Sequence, residues 1–550
     1  MSTAGRPVRF TELSGLAVAV FGLIAFAYLT VPAVDSDYGW HVANGRHLLD
    51  GQLLAGVDTY SWTAPGATWI AHEWLTEGLM AFLHDSLGPT ANSLLAGALG
   101  AAAILLTVAR LRIRGFGVVV AIGVGLLALL DAGTVVSVRP LVVEVFAVAL
   151  LLWLIDTWRA GGIDPRRFSV VVVLEFLIWA NAHGSFVLGL AILGATWLSL
   201  VVERDRRAWV VAFVGVGSAL VTLVNPFGLR LIGYVASAVA GSRLELIAEW
   251  APPDLPASMW WPFVAAIALA GAGMLARIGG PAGLARFGRR SSSVMRNGPS
   301  SSTDPRRVRL DDALMVAAMG VLGLQHGYHA GLFGIVGAPA IAAGVVALVG
   351  AVRLPSFNRP ARDDRAIAPQ TRNRFNVALL AFVAVLTGSL VWAHVGPSNT
   401  TAAMQREYPV AALPALDELA AARPGGLCLF NDYSWGGWLE MVRPEIPVFI
   451  DGRSEVYGDA QVARYATITR GGPGSADALA ATGAITALIP TSSELAAALE
   501  ATTDWNTLYI DDHAVLLVLA TSETVPGSAP GSAPGSAPGS GANSTPCLPR

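Results

Sequence analysis

The chain has no lysine: all 36 of its basic side chains are arginine. Such uniformity is what a GC-rich coding sequence produces, so an arginine at one position is no argument for guanidinium-specific recognition. Charge of either sign is also scarce. Charged residues make up 14% of the 550 positions and hydrophobic ones 54%, whereas a soluble globular protein carries about 25% charged residues. That composition excludes an ordinary soluble class. Two cysteines, Cys428 and Cys547, are too few for a disulfide framework or a zinc site of the usual spacing; they read as a small strand residue and a tail residue. No Walker loop and no Rossmann glycine pattern stands in a strand–helix setting, which argues against a nucleotide site.

What the chain does contain is a series of apolar runs of about 20 residues, the length that crosses a bilayer as helix. About eleven are legible, near 13–34, 90–109, 116–132, 138–157, 168–182, 184–202, 208–224, 259–277, 311–326, 330–351 and 375–395. The first is preceded by Arg6 and Arg9 but is longer than a signal-peptide core. The spacing predicts a polytopic α-helical membrane protein.

Arginine placement sets the expected orientation. Arg110, Arg112 and Arg114 share one loop; Arg159, Arg166 and Arg167 another; Arg204, Arg206 and Arg207 follow. The loops at about 278–310 and 352–374 add thirteen more. With eleven spans these loops all face one side, which makes that side the cytoplasm and puts the C-terminal region outside. The opposite side collects the loop 35–89, the turns near Asp131 and Asn181, the segment 225–258, the turn His326 to His329, and everything after about 396.

Three regions follow. Residues 1–395 form a transmembrane domain with an extracytoplasmic first loop, 35–89. Residues 396–522 form a small extracytoplasmic α/β domain. Its short apolar strands are expected at Gly426–Phe430, Val448–Asp451, Ala484–Pro490 and Ala514–Ala520, with helical patterns around 410–422, 459–468 and 475–501. Residues 523–550 are a tail repeating Pro, Gly, Ser and Ala, with nothing apolar to bury.

The first loop concentrates polar chemistry beside a span, where charge is costly. Asp35 and Asp37 end the first apolar run. A carboxylate there can act as general base on an acceptor hydroxyl, or the pair can share a divalent cation, magnesium or manganese. The same pattern also suits a solvated pair that ends a helix. Tyr38 to Leu49 reads as an amphipathic helix with Trp40, Ala43, His47 and Leu48 on one side, fit to lie at headgroup depth. Asp58, Trp62 and Trp69 extend this surface, and a second helix starts near His72, bringing His72, Glu73 and Glu77 within about one turn. His72 and Glu73, adjacent in sequence, point in different directions on a helix and are expected as supports.

The outer Asp, the amphipathic helix and the polytopic body with an outer domain resemble the GT-C-type glycosyltransferases. Many of those carry Asp, an aromatic four residues on and Arg nine residues on. Asp37, His41 and Arg46 occupy these places here, with His for the aromatic and Tyr38 for the acid that usually follows Asp. The resemblance implies a polyprenyl-phosphate-linked sugar donor, Asp37 as catalytic residue with Asp35 as rival, and Arg46 facing the phosphate or bracing the loop. A second likeness lies in the block Asn431-Asp432-Tyr433-Ser434-Trp435-Gly436-Gly437-Trp438, followed by Phe449-Ile450-Asp451-Gly452-Arg453 and Tyr457. It is similar to the segment opening the soluble domain of oligosaccharyltransferase-type GT-C enzymes, where a Trp-Trp-Asp-Tyr-Gly block helps recognise the acceptor. By that likeness Asp432, Trp435, Asp451 and Arg453 belong to an acceptor-facing rim. Certain bacterial membrane proteins share both the Asp-rich loop and the Phe-Ile-Asp-Gly-Arg block.

Further candidates on the outer side are Arg139 and Glu144, His183 with Asn181, Glu249, and the pair His326 and His329. Arg139 can hold a phosphate in bidentate fashion; Arg46, His41, His72, Glu73, Glu249 and His183 complete the set expected near donor and phosphate. The leading reading is an inverting transferase that moves sugar from the lipid-linked donor to a glycan, lipid or protein acceptor at the outer leaflet of a bacterial cytoplasmic membrane, with no nucleic-acid partner. A non-catalytic assembly or glycan-binding protein of the same architecture is the alternative. Transport is third, because transporters gather polar groups at the midplane and carry internal repeats, and neither is seen here.

Overall fold

Each apolar run expected to cross the membrane is helical in the computed structural model, which describes residues 13–51, 56–240, 252–278, 307–351 and 369–520. Contacts divide the chain into two units. One comprises residues 1–32, 90–235 and 247–396; the other comprises 33–89, 236–246 and 397–550. The first loop, grouped from sequence with the transmembrane domain, thus clusters with the C-terminal residues.

The first unit is all helix, with Leu13–Leu29, Pro89–Ile113, Val118–Ala132, Leu141–Arg159, Pro165–Ala182, Phe186–Val202 and Ala208–Val221 leading to Trp261–Ile278, Leu310–Gln325 and Pro369–Val395. Among the described residues four helices are long and apolar enough to cross a membrane alone: Pro89–Ile113, Leu141–Arg159, Ser258–Ala276 and Asn373–Glu407. The run expected at 330–351 is broken: Gly327–Val336 and Ala338–Val349 meet at 65°, and counting them as one span gives five. Four further apolar helices are shorter. The protein is therefore a polytopic helical membrane fold.

Small residues let its helices touch backbone to backbone. A Cβ on Gly344 would stand 1.9 Å from the carbonyl oxygen of Leu269, and one on Gly273 would stand 2.1 Å from that of Ala340. Glycine at such positions is the usual means of close helix contact in lipid, where apolar burial alone drives no association.

Arginines from three separate loops converge at one end of this unit. Arg110 and Arg114 bond Asp156 at 2.7 and 3.1 Å, Arg114 bonds Asp312 at 2.5 Å, Arg309 pairs with Asp156, and Arg159 reaches Asp311 at 2.8 Å. These loops were assigned to one side on charge alone. Arg110 and Arg114 are buried ion-pair partners rather than free surface charge.

The second unit carries a four-stranded sheet in the order β1-β2-β4-β3, where β1 is Leu429–Asn431, β2 Thr486–Pro490, β3 Trp505–Ile510 and β4 Ala514–Leu519. β1 runs parallel to β2, and β2–β4 and β4–β3 are antiparallel. β4 lies between two neighbours and is buried over Ala514–Val518, which explains its unbroken apolar run. Two expectations fail. Val448–Asp451 is not a ladder strand, because its backbone bonds elsewhere: Val448 exchanges bonds with Tyr60 and Trp62 at 3.0 and 3.1 Å, and the Asn431 side chain bonds Phe449 N–H and Ile450 C=O, each at 2.7 Å. Trp505–Ile510 is a strand that the sequence reading lacked; its half-exposed edge position gives weak alternation. The pattern at 475–501 is two helices, Ser475–Ala480 and Glu494–Glu500, with β2 between them. Cys428, read as a plain strand residue, is disulfide-bonded.

Candidate active site and its buried supports

Asp37 opens the helix Tyr38–Leu49, whose bounds match those expected. Asp35 prepares this start: its Oδ1 accepts the Asp37 N–H at 2.9 Å, and its carbonyl accepts Tyr38 N–H at 3.0 Å and the Tyr408 hydroxyl at 2.9 Å. Burial, followed by the charges of Asp35 and Asp37, holds Tyr408 protonated well above the usual tyrosine range. The Asp37 side chain makes no capping bond to its own helix. Its Oδ1 lies 1.8 Å from where a Cβ on Gly452 would stand, and Trp40 Nε1 lies 3.0 Å from the same point. Both acids are half-buried. The carboxylate of Asp37 is thus pressed against bare backbone in the turn Asp451-Gly452-Arg453, and no side chain fits between.

The helix that follows does not lie with one face open, as expected. Tyr38 through Gly45 are all buried. Gly45 meets the Glu77 carbonyl of the helix Trp74–Leu87 at 2.0 Å from its Cβ position, and Gly39 meets the Gly437 carbonyl of the helix Tyr433–Val442 at 2.2 Å. Trp40 is inside this sandwich, edge-on to Trp69 at 6.2 Å, and so is no headgroup anchor. The glycine pair of the second sequence block has the same use: Gly436 lies against Ile450 O and Gly437 against Ser36 O, at 2.1 and 2.9 Å from their Cβ positions.

Arg46 makes bracing contacts. Its guanidinium pairs with Asp85 at 2.7 Å and donates to the Met441 carbonyl at 2.9 Å. This tie also lowers the Asp85 carboxyl below its ordinary range, chiefly through the Arg46 hydrogen bond.

His41 faces Glu77 and Glu73 from Tyr38–Leu49, Nδ1 to oxygen at 3.2 and 3.7 Å. Asn44 donates to the other oxygen of Glu77. His72 Nε2 lies 3.7 Å from Glu73, and burial pushes its pKa down to about 4. Burial raises Glu77 to about 8. Glu77 was near at hand in the sequence, four residues after Glu73 on one helix face, yet was left out of the expected set.

The expected acceptor rim is only partly a rim. Asp432 caps the helix Tyr433–Val442, accepting from Ser434 N–H at 2.9 Å. Trp435 is buried and donates to the Glu407 carbonyl at 3.0 Å. Asp451 and Arg453 are 0% exposed, which excludes direct contact with an acceptor. Arg453 instead holds Asp58 at 2.8 Å, Asp451 at 2.6 Å and Glu440 at 2.8 Å, with its guanidinium carbon 4.8 Å from the ring centres of both Tyr60 and Trp69. Tyr457 bonds Asp451 as well. One cation facing three carboxylates leaves excess negative charge. Burial and the charges of Asp451 and Asp58 raise Glu440 far above the carboxylate range despite Arg453, so Glu440 is the acid that stays neutral. Tyr60 carried no sequence signal because it meets Arg453 and Val448, hundreds of positions away; Glu440 meets Arg453 thirteen residues on, across a turn that no periodic pattern marks.

In the membrane unit, Glu144 bonds the Tyr328 hydroxyl and lies 3.7 Å from His183 Nδ1. His183 also bonds Ser185 Oγ at 2.7 Å, which in turn accepts from Trp179 at 3.0 Å. Asn181 bonds the Leu177 and Val224 carbonyls. Arg139 is half-buried just before Leu141–Arg159, and His326 and His329 have ring centres 5.9 Å apart. Glu249 lies outside the described residues.

Asp35 and Asp37 were also the expected metal pair. Among the described residues, the one group of three such side chains close enough to share an ion is His41, Glu73 and Glu77. Two aspartates, one oxygen of which already accepts an N–H, are an incomplete donor set for a resident ion.

A helical membrane unit joined in sequence to a mixed-sheet unit defines the class, a polytopic membrane fold with a small α/β unit. The particular likeness is to the oligosaccharyltransferase of Archaeoglobus fulgidus, solved with a tethered acceptor peptide containing an NVT sequon. The identity is 14%, the match covers 93% of this chain and 74% of that one, and the TM-score is 0.52. ArnT of Cupriavidus metallidurans bound to undecaprenyl phosphate aligns at 16% identity over 94% of this chain and 100% of the other, with a TM-score of 0.45. No family model and no curated protein matches the chain. The GT-C resemblance read from the first loop thus holds at the level of the fold.

Proposed function

We propose that this chain is a membrane glycosyltransferase that moves a sugar from a polyprenyl-phosphate donor to an acceptor at the outer face of the membrane. The observation that carries the reading is Asp37: a half-buried carboxylate at the head of Tyr38–Leu49, braced against Gly452. In the proposed step Asp37 takes the proton from an acceptor hydroxyl as that oxygen bonds to the anomeric carbon. The bond from that carbon to the phosphate oxygen breaks, and polyprenyl phosphate departs. Asp35 sets the position of Asp37 through the bond to its N–H and is its rival for the proton. The fold shared with an oligosaccharyltransferase supports the reaction class by analogy.

The non-catalytic reading has its own support, since Arg46 and Arg453 are occupied by structural ion pairs. One experiment separates the two. The full chain in proteoliposomes is given radiolabelled polyprenyl-phosphate monosaccharides, alongside Asp37→Asn, Asp35→Asn and the double variant. Loss of transfer in Asp37→Asn with normal folding supports catalysis. Transfer retained by the double variant removes the aspartates from the chemistry, and no transfer by the wild type with any donor favours the binding role.

A further inference from the structure

The cluster formed by His41, Glu73 and Glu77 takes no part in the proposed transfer. All three are buried, with 2%, 8% and 1% of their surfaces exposed. They come from two helices. Glu73 caps Trp74–Leu87 and Glu77 sits four residues later, its N–H bonded to the Glu73 carbonyl at 3.0 Å; this spacing puts both carboxylates on one face. His41 enters from Tyr38–Leu49, which approaches closely because Gly45 offers no side chain against the Glu77 backbone.

One ligand atom from each residue lies within 4.8 Å of the others. His41 Nδ1 is 3.2 Å from Glu77 Oε1 and 3.7 Å from Glu73 Oε2. Two donors bound to one zinc ion at tetrahedral angles and ordinary bond lengths stand roughly 3.3–3.5 Å apart. The pocket has that scale. Asn44 holds the second oxygen of Glu77, and His72 Nε2 lies 3.7 Å from the second oxygen of Glu73. Such outer partners are what orient carboxylate ligands. An imidazole with two carboxylates in a dry pocket suits a transition-series cation better than magnesium, which keeps its waters, or calcium, which takes six or more oxygens.

We propose that His41, Glu73 and Glu77 bind a divalent metal ion of the zinc class, which clamps Tyr38–Leu49 to Trp74–Leu87. The ion neutralises two carboxylates that otherwise share a buried site. It fixes the helix that begins at Asp37, and the inference stands whether or not the chain transfers sugar.

The test uses the full chain in detergent without a polyhistidine tag, stripped with EDTA and incubated with ZnCl2. Elemental analysis is expected to find about one tightly held zinc per chain in the wild type and in the Asp35→Asn/Asp37→Asn double variant, with a more than tenfold weaker Kd in Glu77→Gln. X-ray absorption on the zinc-loaded wild type should show one imidazole in a nitrogen and oxygen shell, which decides the matter even if Glu77→Gln folds poorly. A wild type that holds no zinc, an absorption spectrum without imidazole, or zinc lost from the aspartate double variant but kept by a folded Glu77→Gln overturns the proposal.

Discussion

The carboxylate of Asp37 occupies the space that a side chain on Gly452 would fill, with Oδ1 1.8 Å from that Cβ position. An acid at the head of one helix and a glycine more than four hundred residues later are thereby bound to one geometry. Gly452→Ala must displace Asp37, Trp40 or the turn itself. Overpacking of this kind costs about 1–3 kcal/mol. If Asp37 is the general base, transfer should fall by at least about tenfold, because a displacement near 1 Å already costs that much. Thermal unfolding and transfer rate measured on the same preparation check both effects.

Arg453 and Arg46 should differ sharply on removal. Arg453→Met leaves Asp58, Asp451 and Glu440 in a pocket with no cation among them, a loss of about 3–5 kcal/mol. Arg46→Met breaks a pair whose side chains are 33% and 44% exposed, a loss of about 0–1 kcal/mol. Denaturant titration of each variant against the wild type makes the comparison. Equal effects would show that the Arg453 cluster is not the centre of its unit.

The pH dependence of the metal-free protein follows from two shifts of opposite consequence. Glu77 rises from 4.5 to about 8 on folding, so its contribution is full below pH 4.5 and is lost as pH climbs through 8. His72 falls from 6.5 to about 4, so its contribution is full above 6.5 and is lost as pH drops through 4. Between 4.5 and 6.5 the two oppose. From pH 6.5 to 8 only Glu77 acts, and stability should decline with rising pH. Glu77→Gln should flatten that window and, between pH 4.5 and 6.5, leave the rise of stability with pH that His72 gives unopposed. Unfolding followed at several pH values in EDTA tests it.

In the membrane unit Gly344 permits backbone contact, a Cβ there standing 1.9 Å from the Leu269 carbonyl oxygen. Gly344→Val should separate Trp261–Ile278 from Ala338–Ala351 and cost about 1–3 kcal/mol. A lower melting temperature in detergent is the expected result. Gly388, whose Cβ would meet nothing within 4 Å, is the control, and Gly388→Ala should melt as the wild type does.

Much of the fold was legible because its signals are local. Apolar runs became helices, the Tyr38–Leu49 periodicity gave that helix to the residue, and the apolar stretches at Thr486–Pro490 and Ala514–Leu519 became strands. Where the reading failed, a distant partner had overruled a local pattern. Val448–Asp451 has strand-like composition, but the bonds of Val448 and its neighbours go to Tyr60, Trp62 and Asn431. The helix Tyr38–Leu49 has an amphipathic pattern, yet helices on either side cover it through Gly39 and Gly45.

The same division holds for the candidate site. The sequence by itself determined that the chain is a membrane protein and that acids and aromatics crowd the loop after the first apolar run. Hydrophobic period and residue type are enough for that. Only tertiary structure decided what each charge is for. Arg453 is an internal counter-ion, Arg46 is a brace, and His41 belongs with Glu73 and Glu77. The role of a charged side chain depends on its burial and on the groups within about 4 Å of it, and those neighbours come from parts of the chain far apart in sequence.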